Sequence, residues 1–415
     1  MYLSRHIEKK LKFTSQHAKV VLLVGARQVG KSTLLSHCFP NIPHITFDPI
    51  QDFYNVRQDP DLFLKQFNTP VILDEIQFYP EVLSAIKRKV DQSTAPGQYF
   101  LTGSQNLSVL KNVSETMAGR VAILQLSPLT IHELHSNAAV EQHWLPLLLE
   151  EPESLPVKFK GILSSFFLWK SLWQGGLPGL IDLPIEAYQT IFQSYIQTYV
   201  ERDVRLLENI QDLRSFDRFI RVVAALSSQE INLTQLGGEI GISYKTVSRW
   251  LNLLSYTYQW YQLDPYHSNT LKRITKKPKG IFSDTGLACH LIRLTSEQAV
   301  GSYPQLGSLF ESFIFNQINS MSNSLNFPAN LYHWRTKHGV EVDIVIEKDG
   351  CLFPIEIKTK SVLSKQDAKG IKIFQETYSN NSTKKIKKGV IIYPGEHCFY
   401  LDQNVIALPC HGIFG

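Results

Sequence analysis

Cysteine is scarce in this sequence of 415 residues, and the positions of the cysteines form no framework. There are five cysteines, an odd number, and no two of them stand as C-x-x-C. This pattern argues against a disulfide scaffold and a structural zinc site, and it favours a reducing compartment. The 13 histidines also lack metal-ligand spacing, so we interpret them as structural or solvated side chains.

Long apolar runs are absent as well. No run approaches the roughly 18–20 residues that a helix needs to cross a bilayer. The polar and charged segment 1–12 lacks the apolar core of a signal peptide. Because both features are missing, we expect no membrane partner and a cytoplasmic location.

Neither sign of charge is in large excess. The formal net charge is +5, with 19% charged and 43% hydrophobic residues, which is ordinary globular composition. Two short clusters are basic, and each either contacts a phosphate backbone or is solvated surface. One cluster contains Lys272, Arg273, Lys276, Lys277 and Lys279, and the other contains Lys384, Lys385, Lys387 and Lys388.

Short apolar runs alternate with helical stretches in the first third of the chain. This order is typical of a parallel sheet covered by helices on both faces. The segment from about 145 to 205 is instead predicted to be helical, with breaks at Gly175-Gly176 and Pro178. The predicted strands are Val20–Val24, His44–Phe47, Val71–Leu73, Tyr99–Thr102, Val121–Leu126, Val342–Ile346 and Leu352–Ile357.

A glycine-rich loop follows the first predicted strand. Its residues, Gly25-Ala26-Arg27-Gln28-Val29-Gly30-Lys31-Ser32, fit the P-loop pattern G-x-x-x-x-G-K-[ST], and Thr33 continues into a predicted helix. In such a loop, backbone N–H groups and the helix N-terminus bind phosphate. We therefore predict that Gly25–Thr33 binds ATP, that Lys31 reaches the β- and γ-phosphates, and that Ser32 is a ligand of Mg²⁺.

Two adjacent carboxylates end another predicted strand, in Val71-Ile72-Leu73-Asp74-Glu75. Ligands of open α/β sheets bind at the carboxyl ends of the strands. We expect Asp74 to hold the Mg²⁺ shell and Glu75 to polarise the water that attacks the γ-phosphate.

Two further segments are candidates for contact with the γ-phosphate. The strand Tyr99–Thr102 is followed by Gly103-Ser104-Gln105, where Ser104 or Gln105 could orient water, unless this is a plain turn. Arg120 precedes a predicted strand and is either an arginine finger toward a neighbouring subunit or an ordinary surface arginine.

A helix-turn-helix pattern lies further along the chain. Leu233–Ile240 is a predicted helix, Gly241 allows a turn, and Ser243 suits the N-cap of a second helix. The outward residues Tyr244, Lys245 and Arg249 suit a major groove, and the loop Lys272–Lys279 would form a wing. The alternative is a winged helix that contacts only protein.

Two strand-like runs flank Asp349-Gly350, which is typical of a two-residue hairpin turn. With that turn, Asp343 lies opposite Glu356, and Lys358 shares their face because side chains alternate along a strand. The alternative is an exposed hairpin with cross-strand ion pairs. This constellation resembles the PD-(D/E)XK nuclease motif. The resemblance implies that Asp343 and Glu356 bind Mg²⁺ or Mn²⁺, that Lys358 acts on the attacking water, and that Glu311 is the acidic residue of an earlier helix.

The chain as a whole resembles bacterial and archaeal AAA-type ATP-binding proteins that carry a C-terminal domain of uncharacterised function. The resemblance implies an AAA-like core whose P-loop strand lies between the strand after Arg120 and the strand before Ser104. The segments that carry it are Gly25–Thr33, Leu73–Gln77, Leu101–Gln105, Ala118–Arg120, Tyr199–Val204, Lys279–Leu287 and Glu341–Lys358.

These observations predict an α/β protein with four segments. Residues 1–140 form a P-loop AAA-type ATPase domain and 141–210 a helical connector. Residues 211–290 form a winged helix-turn-helix and 291–415 a small restriction-endonuclease-like domain. Two hypotheses stay open: an Mg²⁺-dependent ATPase that acts on DNA with a nuclease-like domain, or a nucleotide-dependent switch or scaffold. Either could form a homo-oligomer.

Overall fold

The computed structural model describes residues 2–47, 56–103, 117–135, 143–163, 166–204, 210, 212–269, 277–379 and 383–414, without the side chains of 201–203. The chain divides into two compact units, and each draws on separate segments of the sequence. Unit 1 contains Met1–Pro128, Leu177–Gln211 and Trp250–Gln259, and unit 2 contains Leu129–Gly176, Asp212–Arg249 and Trp260–Gly415.

Unit 1 is built on a five-stranded parallel sheet. Its order is β2-β3-β4-β1-β5, so the P-loop strand β1 lies between β4 and β5, as the resemblance implied. The residues of β1 are buried without exception, since a strand in the middle of such a sheet is covered on both faces. The strands are β1 (Val20–Val24), β2 (His44–Thr46), β3 (Val71–Asp74), β4 (Tyr99–Gly103) and β5 (Val121–Gln125).

The helices of unit 1 follow these strands or come from the later segments of the unit. Helix Glu81–Asp91 buries one face, which contains Val82, Leu83, Ala85, Ile86 and Val90. The other helices are Glu8–Ser15, Lys31–Cys38, Pro60–Lys65, Tyr188–Thr198 and the π-helix Tyr199–Val204, with 3-10 turns at Ile76–Phe78, Pro178–Leu180 and Ile185–Ala187.

A three-stranded antiparallel sheet in unit 2 has the order β7-β9-β8. Its strands are β7 (Gln229–Glu230), β8 (Trp260–Leu263) and β9 (Lys279–Phe282), and helices Leu213–Ala225 and Leu233–Ile240 precede β8. Helix Tyr244–Tyr256 also precedes β8 and contributes residues to both units. The apolar residues Val247, Trp250, Leu251 and Leu254 of this helix are buried.

The C-terminal part of unit 2 is a seven-stranded mixed sheet of order β10-β11-β12-β14-β16-β15, with β13 paired to β12. An apolar cluster that includes Trp334, Val342 and Leu352 packs against Phe374 of helix Lys369–Ser379. The strands are β10 (Asn330–Arg335), β11 (Glu341–Lys348), β12 (Cys351–Ile357), β13 (Lys385–Ile386), β14 (Gly389–Tyr393), β15 (Phe399–Asp402) and β16 (Val405–Pro409).

The prediction of a helical segment from about 145 to 205, with breaks at Gly175-Gly176 and Pro178, is wrong at one place. Residues Phe159–Ile162 form the strand β6, which pairs antiparallel with β17 (Gly412–Phe414). The partner strand lies about 250 residues away in sequence, so no local pattern indicates it. The other helices of unit 2 are Ile131–His135, Trp144–Glu150, Leu155–Lys158, Leu168–Gln174, Thr285–Leu291, Glu297–Gly301 and Leu306–Ser324, with 3-10 turns at Pro152–Ser154 and Lys365–Ala368.

No helix within the described ranges is a candidate for a membrane span. None of the helices there combines the length and the apolar character that a bilayer span requires.

Candidate nucleotide site and carboxylate–lysine cluster

The P-loop lies between β1 and helix Lys31–Cys38, as predicted. Gly25 has φ 150°, and a Cβ at this position would lie 2.2 Å from the carbonyl oxygen of Leu126, so only glycine fits. Lys31 is 6% exposed, and its Nζ donates to the carbonyl oxygens of Gly25 at 3.0 Å and Ala26 at 2.8 Å. The lysine is therefore already positioned at the phosphate-binding loop.

Arg5, which the sequence patterns did not single out, forms hydrogen bonds with the main chain of this loop. Its guanidinium donates to the carbonyl oxygen of Val29 at 2.9 Å and to that of Ser127 at 2.6 Å. Arg5 is 5% exposed, so these hydrogen bonds form away from bulk water. They connect the loop with the residues that follow β5.

Asp74 ends β3 beside the P-loop and is 4% exposed. Burial alone would raise the pKa of Asp74, but hydrogen bonds from His44, Thr102 and Ser32 outweigh it and lower that pKa. His44 Nε2 lies 3.5 Å from Asp74 Oδ2. The predicted Mg²⁺ ligands Ser32 and Asp74 thus lie next to each other, with the carboxylate held in its charged form.

Glu75 has a left-handed backbone conformation, with φ 59° and ψ 45°. Its N–H donates to Thr102 Oγ1 at 3.0 Å, and its carboxylate accepts a hydrogen bond from the amide of Gln77. A non-glycine residue at positive φ is uncommon and is enriched at functional sites. Glu75 is therefore held by one backbone and one side-chain hydrogen bond directly after Asp74.

Ser104 and Gln105 lie outside the described residues. Thr102, two positions earlier on β4, is instead the residue that contacts both predicted carboxylate positions. Arg120 lies before the first residue of β5, at the end of the parallel sheet opposite the P-loop, because Val121 pairs with Val20. There it forms a two-point ion pair with Asp91, whose carboxylate raises the pKa of the guanidinium.

The P-loop also contacts a later helix of unit 1. The Tyr195 hydroxyl donates to the carbonyl oxygen of Arg27 at 3.4 Å and accepts from the amide of Gln259 at 2.9 Å. In the following π-helix, the hydroxyl of Tyr199 lies 2.7 Å from that of Thr257.

The carboxylate–lysine cluster of unit 2 is the set Lys279, Glu311, Glu341, Asp343, Glu356 and Lys358. Its hairpin has the predicted register: Lys348 pairs with Cys351 and Ile344 with Ile355, which places Asp343 opposite Glu356. The turn residues Asp349 and Gly350 have φ 50° and 72°, as a type I′ turn requires.

Asp343 and Glu356 are 7% and 6% exposed, so the hairpin face that carries them is buried. Asp343 Oδ2 accepts the N–H of Ile357 at 2.7 Å, and Lys358 Nζ donates to Glu356 Oε1 at 2.9 Å. Within the part of the chain that the structure describes, Glu356 Oε2 has no hydrogen-bond partner. The cluster therefore holds a buried oxygen that a cation would satisfy.

Glu311, on helix Leu306–Ser324, lies in the same cluster but is engaged by a lysine. Lys279 Nζ is 2.8 Å from Glu311 Oε1, and both side chains are largely buried. Burial raises the pKa of Glu311, as does the neighbouring charge of Asp343, while Lys279 lowers it. Across the described ranges, no group of three or more His, Cys, Asp or Glu side chains is arranged to hold a metal ion. Two carboxylates, Asp343 and Glu356, remain as candidate ligands.

The predicted outward residues Tyr244, Lys245 and Arg249 are exposed. Residues 270–276 of the predicted wing lie outside the described part of the chain, whereas Lys277 is exposed and Lys279 is buried in the cluster. In the second basic cluster, Lys384 forms an ion pair with Glu347.

Three family models match the chain. Residues 17–135 match an AAA domain. The N-terminal part of the chain is therefore similar to an AAA domain. Residues 166–298 match a domain of unknown function (DUF8612), and residues 306–413 match another domain of unknown function (DUF4143). An AAA-type domain is thus followed by a C-terminal domain whose role the match leaves open.

Relatives extend over nearly the whole chain. Uncharacterized proteins of Mycobacterium bovis and Mycobacterium tuberculosis are each 28% identical to it over 411 residues, which covers 99% of this chain and 84% of theirs. Among solved structures, a Walker-type ATPase of Pyrococcus abyssi has TM-score 0.40 and 16% identity, and covers 68% of this chain and 94% of its own. The RuvB Holliday junction branch migration motor of Thermotoga maritima has TM-score 0.29 and 17% identity, and covers 63% of this chain and 90% of its own. Both TM-scores are low, and the assignment of the AAA-type domain rests on its family model.

Proposed function

We propose that the AAA-type domain hydrolyses ATP with Mg²⁺ at the P-loop. The observation that carries this proposal is the contact of Asp74 with Ser32 and Thr102 directly beside Lys31. Nucleotide hydrolysis of this kind is positioning plus electrostatic stabilisation, and these side chains supply both.

Each of these residues would have a separate role in ATP hydrolysis. Gly25–Thr33 would bind the phosphates through backbone N–H groups, and Lys31 would leave its two carbonyl acceptors for the γ-phosphate. Ser32 and Asp74 fit Mg²⁺, which when bound neutralises charge on the β- and γ-phosphates. Glu75 would orient a water toward the γ-phosphorus, so that ADP and inorganic phosphate are the products.

The test is phosphate release from ATP by the full chain, with and without duplex DNA. Lys31→Ala and Glu75→Gln should both lose turnover, while Glu75→Gln still binds ATP. The exposed residues Lys65 and Glu81 provide matched controls, as Lys65→Ala and Glu81→Gln. Unchanged turnover in Glu75→Gln would refute its assigned role. Tight ATP binding by the wild type without turnover would favour the alternative, a nucleotide-dependent switch or scaffold.

A second candidate function, nucleic-acid processing by unit 2, is supported by two observations. The element order of helix, strand, two helices and the strands β8 and β9 around the sheet β7-β9-β8 resembles that of a winged helix. The convergence of Asp343, Glu356 and Lys358 resembles that of a PD-(D/E)XK nuclease site. We propose that unit 2 binds DNA and cleaves it with a divalent cation that Asp343 and Glu356 would hold, because Mg²⁺ often uses only one or two protein carboxylates beside phosphate.

Nicking of supercoiled DNA by the full chain, with and without Mg²⁺, tests this second function. Lys358→Ala should abolish nicking, and the exposed Lys369→Ala serves as its control. Nicking that survives in Lys358→Ala would argue against this site. DNA binding without nicking by the wild type would leave unit 2 as a recognition module and again favour the switch.

A further inference from the structure

A concave site in unit 2 is lined by described residues that do not belong to the carboxylate–lysine cluster. It is a cavity of about 480 Å³ between the end of β10 and the segment that follows β8. Pockets that take one small ligand have volumes of roughly 300–1,000 Å³. The residues that matter for its chemistry are Glu230, Tyr266, Lys277, His333, Arg335 and Lys337.

The floor of this cavity is held by main-chain hydrogen bonds. The N–H of His333 donates to the carbonyl oxygen of Asp264 at 2.9 Å, and the N–H of Tyr266 donates to that of His333 at 2.5 Å. Tyr266 and His333 are each 2% exposed and so form a fixed wall. The cavity is therefore preformed, which reduces the ordering cost of binding a ligand.

Its rim is positively charged. Lys277, Arg335 and Lys337 are exposed, and among the lining residues that the structure describes Glu230 carries the one carboxylate. Among the described residues, Lys277 and Lys337 form no ion pair, and Arg335 lies 4.0 Å from carboxylate oxygens of Glu230 and Glu341. Against these three cations stand Glu230 and Glu341, each 4.0 Å from Arg335, so these described residues leave a net excess of one positive charge. A positive rim attracts a phosphomonoester, which carries about −1.5 to −2 at pH 7, more strongly than a phosphodiester with a single charge.

The cavity also adjoins the carboxylate–lysine cluster. Arg335 pairs with Glu341 across β10 and β11, and Glu341 in turn acts on the charges of Lys279 and Asp343. Lys277 precedes Lys279 by two residues. A ligand phosphate bound by Arg335 would thus lie near Glu341 of the cluster.

We propose that this cavity binds the terminal phosphate of a nucleic-acid strand together with its last nucleotide. The guanidinium of Arg335 donates to two phosphate oxygens, and Lys277 and Lys337 add charge. The inference rests on the proposed nucleic-acid role of unit 2 and adds a preference for phosphorylated ends. A free nucleoside monophosphate offers the same chemistry, so the experiment separates the two sources.

The experiment measures binding of a fluorescent single-stranded oligonucleotide to the full chain by anisotropy. A non-hydrolysable ATP analogue with Mg²⁺ saturates the P-loop throughout. The oligonucleotide is compared with a 5′-phosphate, with a 3′-phosphate and with neither. Variants are Arg335→Ala and the double variant Lys277→Ala/Lys337→Ala, and the double variant Lys160→Ala/Lys369→Ala removes the same charge from exposed positions outside the cavity.

In the wild type, one terminal phosphate should tighten binding about tenfold or more, as expected for a charge-assisted hydrogen-bonded pair. Arg335→Ala and Lys277→Ala/Lys337→Ala should remove this preference, and the control should keep it. Equal affinity for all three oligonucleotides, or a preference that persists in Arg335→Ala, would overturn the proposal. Displacement by deoxycytidine monophosphate at similar concentration identifies the free nucleotide as the ligand, and displacement only by a phosphorylated strand identifies the strand end.

The nicking assay keeps this proposal separate from the function on which it rests. A phosphate preference in a protein that never nicks DNA would refute nuclease activity and leave the cavity assignment intact. Nicking without any phosphate preference would support nuclease activity and refute the cavity assignment.

Discussion

The Thr102 hydroxyl donates a hydrogen bond to the Asp74 carboxylate, and the same oxygen accepts the backbone N–H of Glu75. One buried side chain thus hydrogen-bonds to both acidic residues of the candidate nucleotide site. Because Thr102 is fully buried, water cannot replace it.

Thr102→Val keeps the shape of the side chain and removes both hydrogen bonds. Hydrogen bonds to charged groups contribute about 1.5–3 kcal/mol, so kcat for ATP hydrolysis should fall roughly tenfold to a hundredfold. Phosphate release at saturating ATP measures this effect. Thr102→Ser retains the hydroxyl and should stay near the wild-type rate, and a wild-type rate in Thr102→Val would show that the bridge has no catalytic role.

Lys279 and Glu311 form a largely buried ion pair, so the loss of one partner should be costly. Lys279→Met leaves an uncompensated carboxylate and should lower the free energy of unfolding by about 3–5 kcal/mol. Urea unfolding measures the change. The double variant Lys279→Met/Glu311→Leu should recover most of the loss, and failure to recover would show that Lys279 acts mainly on Asp343 instead.

Glu356 makes the stability of unit 2 depend on pH. Burial, together with the charge of Asp343, raises the pKa of Glu356 from 4.5 to about 8. A carboxyl group with a raised pKa binds more protons in the folded state between these two values, so its contribution to stability is present at low pH and lost as pH rises through about 8. With metal chelated, the wild type should therefore lose stability between pH 6 and pH 9.

Glu356→Gln removes this titration and should reduce the loss, while Glu311, whose pKa is also raised to about 8, still contributes to it. Chemical unfolding of both proteins at the two pH values, with the exposed Glu376→Gln as the control, provides the comparison. An equal loss of stability in Glu356→Gln and the wild type would show that another group is responsible.

Local patterns predicted the parts of the molecule that local physics determines. The five buried apolar residues of β1 stand directly before the P-loop, and the glycines Gly25 and Gly30 of that loop have positive φ. All of these features lie in one short stretch of sequence. The register of the β11–β12 hairpin was predictable because a two-residue turn at Asp349-Gly350 determines which residues of the two strands pair.

Contacts between distant segments could not be predicted in this way. Lys279 and Glu311 are 32 residues apart, and Thr102 lies 28 residues from Asp74, yet each pair is decided by how strands and helices pack. The pairing of β6 with β17 is a more distant case. No sequence pattern distinguishes a strand threonine that packs in the core from one that hydrogen-bonds two neighbouring residues. The role of Thr102 could therefore be recognised only from the order of the strands in the sheet.

Arg120 provides a test of assembly, because it lies at the end of the sheet opposite the P-loop of its own domain. If it acts as an arginine finger on a neighbouring copy, Arg120→Ala should lower kcat by about 10³-fold or more. Turnover per protein should also rise with protein concentration in the wild type but not in the variant. Asp91→Asn breaks the same ion pair while it keeps the guanidinium, so it should retain turnover. Equal losses in Arg120→Ala and Asp91→Asn would instead assign Arg120 to holding helix Glu81–Asp91 in place, and no loss in either would leave it a surface arginine.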